Sequence, residues 1–292
     1  MTSEVRVPNA AASGSFELGG DLPVIRLGYG TMQLTGSGIW GEPADRDAAV
    51  RVIRRAAELG VTFFDTADSY GPVIAEPLLR EALHPYSDDI VIATKAGLTR
   101  SGPHDWRPVG RPEYLRQQAL LSLRHLGVDH IDLFQLHRVD PRVPLAEQIG
   151  ELKLLQDEGV VRHIGMSEVT ADQLEEAGKT ARIAAVQNLY NLADRSAEPV
   201  LDYAEQNGLA FIPWFPLATG ALVKSGGPLA AIAEQHGASP SQLALAWLLR
   251  RSPAILPIPG TSSVEHLEDN IAAADVDLSD ADVEALTRAV AE

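Results

Sequence analysis

Three observations predict an α/β fold, a (β/α)8 TIM barrel with an N-terminal β-hairpin and an extra C-terminal helix. First, a helical stretch that ends in glycine and runs straight into an apolar segment recurs in ELGVTFFD, HLGVDHIDLFQL, DEGVVRHIGM and QNGLAFIPWF, marked by Gly60, Gly127, Gly159 and Gly208. Glycine accepts the left-handed conformation that closes a helix, and a short β-rich run after it reads as a buried parallel strand. Second, eight such runs occur, each followed by a helical stretch, the count of a closed barrel. Third, 292 residues with 45% hydrophobic content suffice for one large core. An open doubly wound sheet is the alternative that periodicity alone leaves.

Residues 1–14 are polar and rich in Ala and Ser and are expected to be mobile, and residues 15–292 form one domain. SFELGG and LPVIRL predict a hairpin that closes the barrel bottom. Strands are expected near 26–30, 62–64, 90–94, 131–136, 161–166, 184–187, 210–214 and 255–258. Between them, Val50, Ile53 and Ala57 share one helical face, as do Leu115, Ala119, Leu123 and Leu126, at the spacing of an amphipathic helix. LSDADVEALTRAV supplies the last helix.

A net charge of -16 repels phosphate backbones, so no nucleic-acid partner is expected. There is no cysteine, which removes disulfides, thiolate metal sites and cysteine nucleophiles. No HExxH pair or other metal spacing is seen among the eight histidines, and no metal is assigned. No apolar run approaches the roughly 18 residues of a membrane span, and the polar start does not resemble a signal peptide. A cytoplasmic monomer acting on a small molecule, with no membrane partner, is the expectation.

Active sites of such barrels lie at the C-terminal strand ends. Three apolar runs close on polar residues there: VTFFD on Asp65, IVIATK on Lys95 and IDLFQLH on His137, with Tyr70 in the loop DTADSYGP. A phenol exchanges protons poorly at neutral pH unless a nearby cation stabilises its phenolate. Lys95 is the expected cation, lowering the phenol pKa. Asp65 would hold that lysine charged, and neutral His137 would donate a hydrogen bond to a substrate oxygen. This group protonates a carbonyl oxygen but holds no nucleophile or metal cage, so an electron pair such as hydride must come from a cofactor.

FFDTADSYGP, IATKAG and LFQLHRVD resemble the catalytic segments of the aldo-keto reductase superfamily, a likeness that runs from about residue 24 to the C-terminus. The resemblance implies a catalytic tetrad of Asp65, Tyr70, Lys95 and His137, and NADP(H) as cofactor with NAD(H) as the alternative. It places Gly30, Thr31 and Met32 along the nicotinamide ribose beside Asp65, and Ser167 and Gln187 on the carboxamide. Glu168 stands where the family has asparagine, and a carboxylate cannot donate that residue's hydrogen bonds. Trp214 would stack on the nicotinamide, and Phe215, Leu217, Gly220, Leu222 and Lys224 would follow the pyrophosphate. Thr261, Ser262 and Ser263 are matched to a 2′-phosphate, and Asp269 and Asn270 to the adenine. Gly260 and His266 occupy cofactor-lining positions where many relatives carry basic residues.

Tyr70 and His137 are also expected to touch substrate, with Trp40 and Trp106 as pocket walls and Trp247 in the core. RLGYGTMQL, HPYSDDIVIATK and LAWLLRRSPAILPIPGTSSVEHL are most similar to a bacterial branch that includes pyridoxal reductases, also described as pyridoxine dehydrogenases. The resemblance thus implies reduction of an aldehyde or ketone to an alcohol, with pyridoxal to pyridoxine as the lead. Two alternatives stay open: a nicotinamide-binding regulatory subunit with little turnover, and a barrel isomerase or aldolase using Lys95 as a Schiff-base amine.

Overall fold

The computed structural model describes residues 7–217 and 229–290. Strands β1 (Ser15–Leu18) and β2 (Leu22–Ile25) pair antiparallel. Their inward residues Leu18 and Val24 pack with Phe63, Leu133 and Ile212 of the barrel interior, so the hairpin plugs the barrel bottom. Residues 9–14, within the segment expected to be mobile, are docked on the barrel. The Asn9 side chain caps a 3-10 turn at Ala10–Ser13, the Ala10 amide donates to Leu59 O at 2.8 Å, and Ala10 is fully buried. Small side chains let this turn dock closely where polarity alone suggested a free end.

Alternating strands and helices follow. They are β3 (Tyr29–Gly30), α1 (Arg46–Glu58), β4 (Phe63–Asp65), α2 (Ala75–Leu83), β5 (Val91–Ala96), the short hairpin β6 (Leu98–Thr99) and β7 (Arg107–Pro108), and α3 (Pro112–Leu126). Then come β8 (Ile131–Leu136), α4 (Leu145–Asp157), β9 (Val161–Ser167), α5 (Ala171–Gly178), β10 (Ile183–Leu189), α6 (Glu198–Asn207) and β11 (Ala210–Trp214). Helices α7 (Ala230–His236), α8 (Pro240–Arg251), α9 (Val264–Ala272) and α10 (Asp280–Ala289) complete the described chain. The main sheet is parallel, in the order β3-β4-β5-β8-β9-β10-β11. Gly60, Gly127, Gly159 and Gly208 all adopt positive φ, 66° to 83°, turning each helix directly into the next strand.

The eighth expected strand closes the ring without forming a regular ladder. Leu256 N donates to Phe211 O and Gly28 N to Pro257 O, at 2.8 and 2.9 Å, so the segment bridges β11 to the chain entering β3. Pro257 and Pro259 lack the amide hydrogens a strand needs. The seam is tight: a Cβ on Gly30 would lie 2.8 Å from Ile258 O, and one on Gly260 2.7 Å from Gly30 O. The result is a (β/α)8 barrel, with Trp247 buried under α10 and stacked on Tyr190.

Candidate active site

The parallel register brings the polar strand ends to one level, pairing Gly30 with Asp65, Lys95 with Gln135, and Gln187 with Ser167. Lys95 is fully buried. Its Nζ donates to Asp65 Oδ1 at 2.5 Å, Thr66 O at 2.9 Å and Tyr70 OH at 3.3 Å. Asp65 Oδ2 accepts from Gln187 Nε2 at 2.8 Å and Gln135 Nε2 at 3.2 Å. The His137 ring meets Tyr70 edge-on, 5.9 Å between centroids, and its Nδ1 lies 3.3 Å from Ser69 Oγ. The four side chains thus form one cluster on the ends of β4, β5 and β8 and the loop after β4.

Burial alone would lower the Lys95 pKa, but the Asp65 carboxylate and the Tyr70 oxygen outweigh it and hold the ammonium above its ordinary value. A charged lysine disfavours Schiff-base chemistry. The phenol departs from the expected direction: burial pushes the Tyr70 pKa above its ordinary value, while Lys95 pulls it down and Asp65 offsets part of that pull. Desolvation of this buried phenol exceeds the attraction of one cation already paired with a carboxylate. Tyr70 therefore holds its proton, the state required of an acid. Burial, with Lys95, Arg138 and Arg100 nearby, keeps the His137 pKa well below its ordinary value, so the ring is neutral at neutral pH.

Two adjoining lobes meet at Tyr70. One, of about 320 Å³, is lined by Gly30, Met32, Asp65, Leu217, Gly260 and their neighbours. The other, of about 470 Å³, is bordered by Trp106, His137, Arg138 and Ser167. Tyr70, Met32, Gln187, Trp214 and Phe215 border both. Thr31 is buried and turns its hydroxyl to Asp65 O at 3.1 Å. Gln187 gives its amide nitrogen to Asp65, which leaves its carbonyl oxygen for a ligand. Ser167 Oγ accepts from Arg138 Nη1 at 3.0 Å.

Glu168 acts here as a hydrogen-bond acceptor. At φ 56°, its Oε1 accepts from Leu189 N at 2.7 Å and from Trp214 Nε1 at 2.5 Å. The carboxylate thus orients the indole that borders both lobes. Trp40 corrects its expected place as a pocket wall: it lines neither lobe, pairs with Gly71 and lies 5.6 Å from the Arg100 guanidinium. Asp269, matched to the adenine, is held within the protein. Its two oxygens accept from Gln242 Nε2 and Ser239 Oγ, both at 2.8 Å, fastening α9 to the start of α8. Ser263 caps α9 through the His266 amide, with Thr261 beside it and Ser262 and His266 exposed, while Asn270 is buried. Gly220, Leu222 and Lys224 lie outside the described residues.

The sequence reading missed Gln135, Ser69, Arg100 and Arg138. Gln135 carried a signal, being a polar residue two positions before His137 in an otherwise apolar strand and so on the same face. Gly165 makes room for it, since a Cβ there would lie 2.8 Å from Gln135 Cγ. Arg100 stacks 3.4 Å from the Trp106 ring centroid. It donates to the carbonyls of Gly38, Ile39, Ser69, Gly102 and Asp105, tying three loops together at the barrel mouth.

The chain is similar to known proteins. The chain is 52% identical over 271 residues to an uncharacterized oxidoreductase of Schizosaccharomyces pombe, covering 93% of this chain and 88% of that one. It is 44% identical to the pyridoxine 4-dehydrogenase of Escherichia coli, covering 92% and 96%. The crystal structure of an aldo-keto reductase from Klebsiella pneumoniae in complex with NADPH superposes with a TM-score of 0.81 at 28% identity, covering 97% of this chain and 95% of that one. The model of the aldo/keto reductase family matches residues 26–291, and with the buried tetrad at the barrel mouth the chain belongs to that family of oxidoreductases.

Proposed function

We propose that the protein is an NADP(H)-dependent carbonyl reductase that converts an aldehyde to an alcohol, with pyridoxal as the lead substrate. The observation that carries this reading is the place of Tyr70 at the junction of the two lobes, within reach of Lys95 Nζ. Gly30, Met32, Gln187, Trp214 and Leu217 fit a nicotinamide: a flat apolar slot with a held indole on its border and an amide carbonyl to accept from a carboxamide. Ser262 and the first amides of α9 suit the 2′-phosphate of NADP(H).

When bound, the reduced nicotinamide supplies hydride. Tyr70 gives its proton to the carbonyl oxygen, and Lys95 stabilises the phenolate left behind. Asp65 keeps Lys95 charged, and Gln135 and Gln187 hold Asp65 in turn. Neutral His137 donates to the same carbonyl oxygen through Nε2-H when the Ser69 hydroxyl donates to Nδ1. Trp106, Trp214 and Phe215 exclude water and offer ring faces to an aromatic aldehyde. The E. coli relative supports pyridoxal within that class.

The test follows NADPH consumption with pyridoxal, beside NADH and a panel of aromatic aldehydes. Turnover with pyridoxal is expected, and Tyr70→Phe should lower kcat by about 10² to 10⁴-fold with NADPH affinity retained. Full turnover by Tyr70→Phe removes the assigned acid, and tight NADPH binding without turnover on any aldehyde favours a regulatory role.

A further inference from the structure

Two arginines stand by the second lobe, and their hydrogen bonding differs. A guanidinium carries five N–H donors. Those of Arg100 go to backbone carbonyls of three loops, so this side chain is structural. Arg138 lines the lobe and uses Nη1 alone, toward His137 O at 2.6 Å and Ser167 Oγ at 3.0 Å. Its Nη2 and Nε have no acceptor among the described residues, and no carboxylate there lies within 4 Å of it. Glu168, the acid that acts on it, is engaged by Leu189 and the Trp214 indole. Burial pulls the Arg138 pKa below its ordinary value despite Glu168 and Tyr70, as expected of a partly buried cation short of a counter-charge.

We infer that Arg138 is a specificity-determining residue that pairs with an anionic oxygen group, carboxylate or phenolate, on the aldehyde substrate. The inference rests on the carbonyl-reductase reading above and names the substrate class of the same site. Three features of the lobe support it. The unused donors are fork-shaped and suited to a planar oxygen anion. The Arg138 Cζ lies 6.0 Å from the Trp214 ring centroid, placing the charge beside an aromatic wall on which a ring-bearing aldehyde can lie. Met32, Ile39, Leu98, Trp106, Pro108 and Phe215 make much of the remaining lining apolar or aromatic, and its polar members Ser167 and Gln187 are uncharged, so an anion entering the lobe meets Arg138 as its charged partner. In a chain of net charge -16 this locally positive lobe selects by position rather than by the overall field.

The test compares matched aldehydes: 3- and 4-carboxybenzaldehyde against their methyl esters, and 2-hydroxybenzaldehyde, at a pH where its phenol is ionised, against 2-methoxybenzaldehyde. The wild type is expected to favour the anionic member of at least one pair by tenfold or more in kcat/KM, through KM. Arg138→Met should bring that ratio to about one, and Arg138→Lys should keep part of it. Absence of preference in every pair, or a preference that survives Arg138→Met, overturns the inference. A readout independent of turnover is benzoate against benzamide binding to the protein with NADP+, by calorimetry. Benzoate should bind at least tenfold more tightly, less so at high salt, and should lose that margin in Arg138→Met. Benzoate binding of this kind without turnover of any aldehyde sinks the reductase reading alone, whereas turnover with equal benzoate and benzamide binding sinks the role of Arg138.

Discussion

Replacing Asp68 by asparagine should stabilise the protein increasingly as the pH rises. Asp68 lies between Asp65 and Tyr70 in the chain and is 5% exposed. Its Oδ2 accepts from Gln118 Nε2 at 2.9 Å and Tyr114 OH at 3.3 Å, while Oδ1 has no partner. Burial, with the buried Glu76 carboxylate nearby, pushes its pKa from 3.8 up to about 7, against the opposing hydrogen bonds. Below pH 4 the carboxyl is protonated in both states and costs nothing. Between pH 4 and 7 the unfolded chain ionises while the folded one does not, so stability falls, and above pH 7 the loss levels off. At about 1.4 kcal/mol per pH decade, the full loss is roughly 4 kcal/mol, of which about 2 to 3 kcal/mol falls between pH 5 and pH 8. The amide introduced by Asp68→Asn keeps an acceptor for Tyr114 and Gln118 without the charge. Urea unfolding followed by tryptophan fluorescence at both pH values, on wild type and Asp68→Asn, isolates this contribution. The stability difference between the two proteins should grow by about 2 to 3 kcal/mol from pH 5 to pH 8. A difference that stays constant to within about 0.5 kcal/mol refutes the reasoning, because Asp68 is the titrating group that the substitution removes.

Other residues give further expectations. Gly165→Ala places a Cβ 2.8 Å from Gln135 Cγ and should cost about 1 to 3 kcal/mol by overpacking and lower kcat by displacing Gln135 from Asp65. Adding Gln135→Ala should recover most of the stability but not the kcat, and strictly additive unfolding energies would argue against the clash. Glu168→Ala frees the Trp214 indole and should raise the KM for NADPH roughly fivefold, as expected for loss of about 1 kcal/mol, and shift tryptophan emission to the red. Glu168→Gln retains the acceptor and should lie between the two, and an unchanged KM and emission in Glu168→Ala would show that the indole is held by packing alone.

The alternation of helices and strands was legible because each transition is encoded locally. Glycine closes the helix at Gly60, Gly127, Gly159 and Gly208, and an apolar run follows without a long loop. The tetrad was legible for the same reason: Asp65, Lys95 and His137 each end an apolar strand, and a barrel delivers consecutive parallel strand ends to one mouth. The eighth strand was readable as a segment but not as a ladder, because Pro257 and Pro259 remove the amide donors while the close approach to Gly30 still seals the ring.

The sequence by itself determined the order of elements, the strand ends that close on polar residues and the residue types gathered there, since all three follow from local spacing. The tertiary structure decided how those groups are charged and held. Asp65 and Gln187 are 122 positions apart, and Glu168 and Trp214 are 46 apart. No periodicity links such pairs. Trp40 and Trp106 sit in similar loops, yet Trp106 borders the second lobe and Trp40 braces its surroundings. The direction of the Tyr70 pKa depended on how completely its oxygen is enclosed, and the unused donors of Arg138 became visible once every neighbouring acceptor had a place. Desolvation and hydrogen-bond saturation are sums over everything that surrounds a group in space, which is why the folded arrangement had to supply them.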